Sequence, residues 1–119
     1  MAKLEKKSID SPDESRTVGK GEMALITVGG VTLGRGTFEP GWRWSEHVKP
    51  IVGGDSCQVH HKTFVLSGRM GVRMNDGTEL EIGPGELAEI PPGHDGWVIG
   101  NENCVAIDVS GDIAQYAKP

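Results

Sequence analysis

Apolar residues along this chain come in short runs, broken every few positions. The 119 residues include 18 glycines and 7 prolines, and the longest run free of both is Asp55 to Ser67. A long amphipathic helix has no place to form, and no helix longer than about three turns is expected. The pieces between breaks are rich in Val, Ile, Thr, Phe and Trp, which suit a pleated, half-buried surface. They predict strands near Ala24–Val28, Val31–Phe38, Trp42–Glu46, Gln58–Ser67, Gly71–Met74, Glu79–Ile82, Glu86–Ile90, Trp97–Ile99 and Cys104–Val109. The clearest hairpin has Asn75-Asp76-Gly77 at its tip, residues that tolerate the positive φ of a tight β-turn. Gly83-Pro84-Gly85 and Pro91-Pro92-Gly93 mark the next two corners. Many short strands at regular spacing predict an all-β sandwich or small barrel.

Residues 1–21 are polar, mixed in charge and without sustained periodicity. They read as an irregular arm, with Ser11-Pro12 suited to start a short helical turn, ahead of a single domain over residues 22–119. A chain of this size buries about two-thirds of its unfolded surface and needs no staples. The formal charge of −5 and the lack of a basic cluster beyond Lys3, Lys6 and Lys7 argue against nucleic-acid binding. The first residues lack the apolar stretch of a signal peptide, and no run suits a membrane span. A cytoplasmic protein with no membrane partner is therefore expected. Its two cysteines, Cys57 and Cys104, read as reduced thiols there.

Candidate chemistry concentrates between Gly41 and Gly68, which hold three of the four histidines and two of the three tryptophans. Neutral imidazole is the commonest metal ligand and a frequent general base. Gly41 is followed by five residues and His47, and after one more residue comes Lys49. His61 precedes Gly68 by six residues. Further on, Gly85, five residues, Pro91, one residue and Gly93 form a second pattern, which ends at Gly96 after two intervening residues.

This Gly/Pro frame resembles the two motifs of the cupin family over roughly residues 36–110. The resemblance implies a double-stranded β-helix jelly roll, the cupin barrel. In metal-binding cupins two His and a Glu of the first motif and a His of the second hold one divalent ion. Those positions here are His47, Lys49, His61 and Gly96, with the spacer before His61 lengthened by residues 51–57. Lysine and glycine cannot ligate. His61 in the Glu position can, since imidazole also binds such ions.

Strand alternation gives a test of faces. With His61 inward, as the resemblance implies, Thr63, Val65 and Ser67 follow it, and His60, Lys62, Phe64 and Leu66 face out. With His47 inward, Arg43 and Ser45 follow, and Trp42 and Trp44 face out. His94 shares the parity of Gly96 but lies about 6.6 Å away along a regular strand. It serves as a third ligand only if the Pro91-Pro92-Gly93 corner bends inward or the ion moves. Cys57 or Gln58 reaches the pocket only if the inserted loop folds over its mouth.

The expected metal ligands are His47, His61 and His94, for a divalent transition metal such as Zn, Fe, Ni or Mn. Arg43, Lys49 and Trp97 are the expected substrate contacts, the two cations to hold a carboxylate or phosphate. Two functions stay open: a metal-dependent pocket for a small polar molecule, and a non-catalytic small-molecule-binding cupin with an eroded metal site. The outer Phe64/Leu66 row and the two outward tryptophans lead to an expected homodimer.

Overall fold

The computed structural model describes residues 3–116 and 118. Residues 1 and 2 of the expected arm, and residues 117 and 119 of the expected domain, lie outside the described residues. Among the described residues nine strands follow one another: β1 (Glu14–Val18), β2 (Gly21–Val28), β3 (Val31–Phe38), β4 (His61–Ser67), β5 (Met70–Met74), β6 (Glu79–Ile82), β7 (Leu87–Ile90), β8 (His94–Val98) and β9 (Cys104–Asp108). Two helical turns, α1 (Trp44–His47) and α2 (Lys49–Val52), and a final 3-10 turn over Gly111–Gln115 complete the chain. Among the described residues, no helix is long and apolar enough to cross a membrane.

The strands build two antiparallel sheets. One has six strands in the order β1-β2-β3-β9-β4-β7, and the other three in the order β6-β5-β8. The long-range β3–β9 and β4–β9 pairings thread the last strand between early ones, the winding of a jelly roll. The core lies between the sheets, with Met23 and Leu25 of β2, Val65 of β4, Val72 of β5, Ile90 of β7 and Ala106 of β9 facing inward.

Glycine keeps two of the corners tight. Gly68 has φ 76°, and a Cβ there would lie 2.3 Å from the Asn103 carbonyl oxygen. Only glycine lets β4 turn against the chain entering β9, which explains why that motif position is glycine. Gly77, with φ 93°, closes the Asn75-Asp76-Gly77 hairpin by donating to the Met74 carbonyl at 2.9 Å.

Three sequence expectations are corrected. The arm is not irregular throughout, because Glu14–Val18 pairs with Gly21–Leu25 as an edge strand. The Ser11-Pro12 segment does not start a helix; Ser11 closes a turn by donating to the Ser8 carbonyl at 3.1 Å. The expected strand Trp42–Glu46 is a helical turn. Its Ser45 N–H is taken up by Asp95 Oδ1 at 3.1 Å, so β8 satisfies a donor that the turn leaves without an intrahelical partner. This turn brings Trp42 and Trp44 into the core instead of outward. Aromatic β-propensity misled here because the two indoles serve the core, where both are almost fully buried.

Candidate metal centre

Three ligand-type atoms converge inside the barrel. Cys57 Sγ and one ring nitrogen each of His61 and His94 lie within 4.8 Å of one another. All three residues line an inner cavity of about 50 Å³. Cys57 and His94 are buried, and His61 is half-buried at the start of β4.

Each ligand has a local reason to be there. The parity of β4 holds from His61 through Val65, so His61 and Thr63 face the interior while Lys62 and Phe64 face out. A bulge between Val65 and Ser67 then ends the regular alternation. His94 opens β8 on the same face as Gly96 and Val98, all three buried. Cys57 comes from the inserted loop. Its N–H donates to the His94 carbonyl at 2.7 Å, and its carbonyl accepts from Gly93 N–H at 2.7 Å. The loop therefore folds across the barrel mouth and delivers the sulfur.

Second partners fix the imidazole tautomers. His61 Nδ1–H donates to Asp108 Oδ2 at 2.5 Å, and His94 Nδ1–H donates to the Pro91 carbonyl at 2.7 Å. Carboxylates and carbonyls only accept, so Nδ1 carries a proton in both rings, and Nε2 is the nitrogen that can ligate once it is free of a proton. Such outer partners orient metal-binding histidines and raise their basicity. Asp108 is itself satisfied, accepting from Ser110 N–H at 2.9 Å and from the Thr63 hydroxyl at 3.4 Å. Cys57 Sγ lies 3.8 Å from His61 Nε2. Two ligands about 2.0–2.3 Å from a tetrahedral ion stand roughly 3.5 Å apart, so the spacing fits one ion.

The charges fit as well. Burial works against the Cys57 thiolate, but hydrogen bonds and charge from His61 and His94 outweigh it and bring the thiol down to about 6. Burial also opposes charge on His61. Its hydrogen bonds to Asp108 and Cys57 prevail and lift it to about 9. Burial would raise the Asp108 carboxyl, yet the His61 contact holds it below its ordinary value. Burial, aided by the charge of Cys57, pushes the Tyr116 phenol up, so it stays a hydroxyl.

The other expected site residues lie elsewhere. His47 ends α1, where its Nδ1 accepts from Arg43 N–H at 3.1 Å and its ring covers Gly19. Lys49 opens α2 and lines neither the cavity nor the cleft beside it. Arg43 stacks 4.7 Å over the Trp97 ring and pairs with Asp95 at 3.2 Å. Asp95 and Trp97 alternate with the buried His94, Gly96 and Val98, so they stand on the face of β8 away from the cavity. The structure brings together His61 and His94 and leaves His47, Arg43, Lys49 and Trp97 outside. His47 keeps the motif spacing but ends a helical turn rather than standing on a strand, and it does not line the cavity.

Two residues of the site escaped the sequence reading. Asp108 had a signal, since an acid two residues beyond Ala106 shares the buried face of β9. Tyr116 had none, lying past the last strand and directly after the short 3-10 turn. That turn is held by Arg16, which donates to the Ala114 and Tyr116 carbonyls at 2.9 and 2.7 Å. An outer cleft of about 450 Å³ adjoins the cavity and shares Trp44, Cys57 and Tyr116 with it.

No family model matches the sequence, and no curated protein matches it significantly. Solved structures do match in fold. A protein of unknown function from Rhizobium leguminosarum shares 24% identity, covering 90% of this chain and 96% of its own, at a TM-score of 0.62. The polyketide cyclase RemF from Streptomyces resistomycificus shares 18%, covering 90% and 78%, also at 0.62. A cupin-like protein from Thermotoga maritima shares 20%, covering 98% and 84%, at 0.56. With nine strands in two antiparallel sheets and these neighbours, the chain has the fold of a small cupin, with a buried Cys57/His61/His94 group able to hold a metal ion.

Proposed function

We propose that the protein binds one divalent transition metal on Cys57, His61 and His94 and uses it to hold a small polar molecule in the inner cavity. The observation that carries this reading is the convergence of the three ligand atoms within 4.8 Å, with both histidine Nδ1–H groups already committed. Three protein ligands leave one position open, the pattern of catalytic rather than closed structural zinc sites. A bound ion would polarise an oxygen of the small molecule as a Lewis acid. The thiolate favours zinc, iron or nickel over manganese, which prefers oxygen donors. His61 keeps its ring oriented through Asp108, and the apolar cavity wall excludes bulk water. The Streptomyces neighbour is by its name a cyclase, so this barrel elsewhere serves as an enzyme scaffold.

A second reading, a metal-free binding pocket, is favoured by one observation. Cys57 Sγ lies 3.8 Å from His61 Nε2, and with the thiol lowered and the imidazole raised the two balance each other's charge without an ion. Elemental analysis of protein purified without a histidine tag separates the two. The metal reading expects about one equivalent of zinc, iron or nickel per chain, lost in Cys57→Ser and in His94→Ala. A parent protein that carries no metal, and takes up none from added zinc, overturns it and leaves the plain pocket.

A further inference from the structure

Two buried polar side-chain atoms among the described residues lack a hydrogen-bond partner: Trp42 Nε1 and the Tyr116 hydroxyl. Both residues line the inner cavity, but the indole nitrogen of Trp42 lies against the start of β2. A Cβ built on Gly21 would meet Trp42 Nε1 at 2.8 Å, so the indole N–H faces the start of β2. Tyr116 is only 3% exposed and lines both the inner cavity and the cleft that adjoins it. Its ring stands edge-on to His61 with centroids 6.1 Å apart. A buried donor without a partner is unfavourable, and its retention needs an explanation. Here the unpartnered donor belongs to a residue that lines the same cavity as Cys57, His61 and His94.

The walls restrict what that donor can meet. Met23, Phe38, Met70, Val72 and Ile90 give the cavity an apolar body, and no Lys or Arg is among the described residues that line it. Its volume of about 50 Å³ admits a ligand of only a few non-hydrogen atoms, since a water takes roughly 10–15 Å³ on this scale. Charge restricts it further. A divalent ion is neutralised by the Cys57 thiolate and the Asp108 carboxylate, so a dianion would bring two uncompensated charges into an apolar interior. A monoanion brings one, and a hydroxyl donor partly offsets it.

We propose that the Tyr116 hydroxyl donates to an oxygen ligand at the open position of the ion, and that the cavity takes a short monocarboxylate in preference to dicarboxylates and phosphates. This rests on the metal reading above. Tyr116 is then a ligand-binding residue that the tail of the chain supplies to the barrel.

The test is optical titration of the cobalt(II)-loaded full-length protein with acetate, oxalate and inorganic phosphate, in the parent and in Tyr116→Phe. The parent is expected to bind acetate more tightly than oxalate or phosphate. Tyr116→Phe is expected to keep the parent cobalt spectrum and lose about tenfold in acetate affinity, the scale of one hydrogen bond to a charged group. A purely structural hydroxyl would instead lower the melting temperature and leave acetate affinity unchanged. Unchanged acetate affinity in Tyr116→Phe, or tighter binding of oxalate or phosphate by the parent, overturns the proposal while the metal reading stands. A parent that takes up no cobalt overturns both.

Discussion

Cys57 and His94 are locked to each other through the backbone, with Cys57 N–H donating to the His94 carbonyl at 2.7 Å. The lock matters because the two residues reach the cavity by different routes. His94 arrives on β8, whereas Cys57 arrives on a loop that would otherwise be free to move. Their pairing fixes the sulfur near the imidazoles before any ion binds, so little ordering cost remains at the moment of binding.

The metal-free protein has a defined pH window. Cys57 has a depressed folded value, so its stabilising contribution is full above the ordinary thiol range and is lost as pH falls through about 6. His61 has a raised value, so its contribution is full below the ordinary imidazole value and is lost as pH rises through about 9. The pair is therefore intact between those limits. Thiolate absorbance at 240 nm is expected to rise with a midpoint near 6, with Cys104 following only near 11, where burial has pushed it. Absence of thiolate below pH 8 would refute the coupling. Zinc affinity is expected to increase from pH 6 to 9, because an ion must displace the proton on His61 Nε2.

Asp108 is expected to matter without touching the ion. Asp108→Asn removes the carboxylate that accepts from His61 Nδ1–H, and loss of such a partner typically weakens metal binding about 10–100-fold. Competition with a chromogenic chelator measures it. An affinity equal to the parent's would show that the His61–Asp108 contact does not orient the ligand.

Removing the Tyr116 hydroxyl is expected to leave folding stability unchanged or raise it. A buried hydroxyl without a partner carries a desolvation penalty of about 1–3 kcal/mol, which Tyr116→Phe relieves. Urea unfolding of the metal-free variant checks this, and a loss of more than about 1 kcal/mol would mean that the hydroxyl has a partner in the folded chain.

Gly68→Ala is expected to destabilise the domain by at least about 2 kcal/mol, since it combines a positive φ with a backbone clash. The added Cβ would stand 2.3 Å from the Asn103 carbonyl oxygen. A melting temperature equal to the parent's would contradict this placement of the corner.

The expectation of a homodimer now rests on a smaller footing, because Trp42 and Trp44 are core residues. What remains is a row on the outer face of the larger sheet, where Phe64 pairs in register with Leu87 and Ile107. Phe64, Leu66 and Leu87 are 39%, 50% and 69% exposed. Sedimentation is expected to find a dimer that Leu87→Glu dissociates. A parent that stays monomeric at high concentration removes the proposal.

The fold was legible because its punctuation is chemical. Val31–Phe38 and Glu79–Ile82 emerge with their sequence-derived limits. The inward face of β4 came from the family resemblance, since both faces carry apolar residues, and it holds for His61, Thr63 and Val65 but not for Ser67, which lies past the bulge. The site was half legible. His61 was found through its motif position and His94 through its parity. Both histidines line the cavity. Cys57 was named only on condition that its loop folds over, and no local pattern reveals a backbone pairing between residues 57 and 94. His47 was named for its motif position, while the β-propensity of Trp42 and Trp44 hid a helical turn that Asp95, distant in sequence, helps to satisfy.

X-ray absorption at the metal edge of the zinc-loaded protein tests the central claim most directly. One sulfur at about 2.3 Å and nitrogen scatterers at about 2.0–2.1 Å are expected, the sulfur signal vanishing in Cys57→Ser. A first shell of nitrogen and oxygen alone, unchanged in Cys57→Ser, would contradict the Cys57/His61/His94 centre.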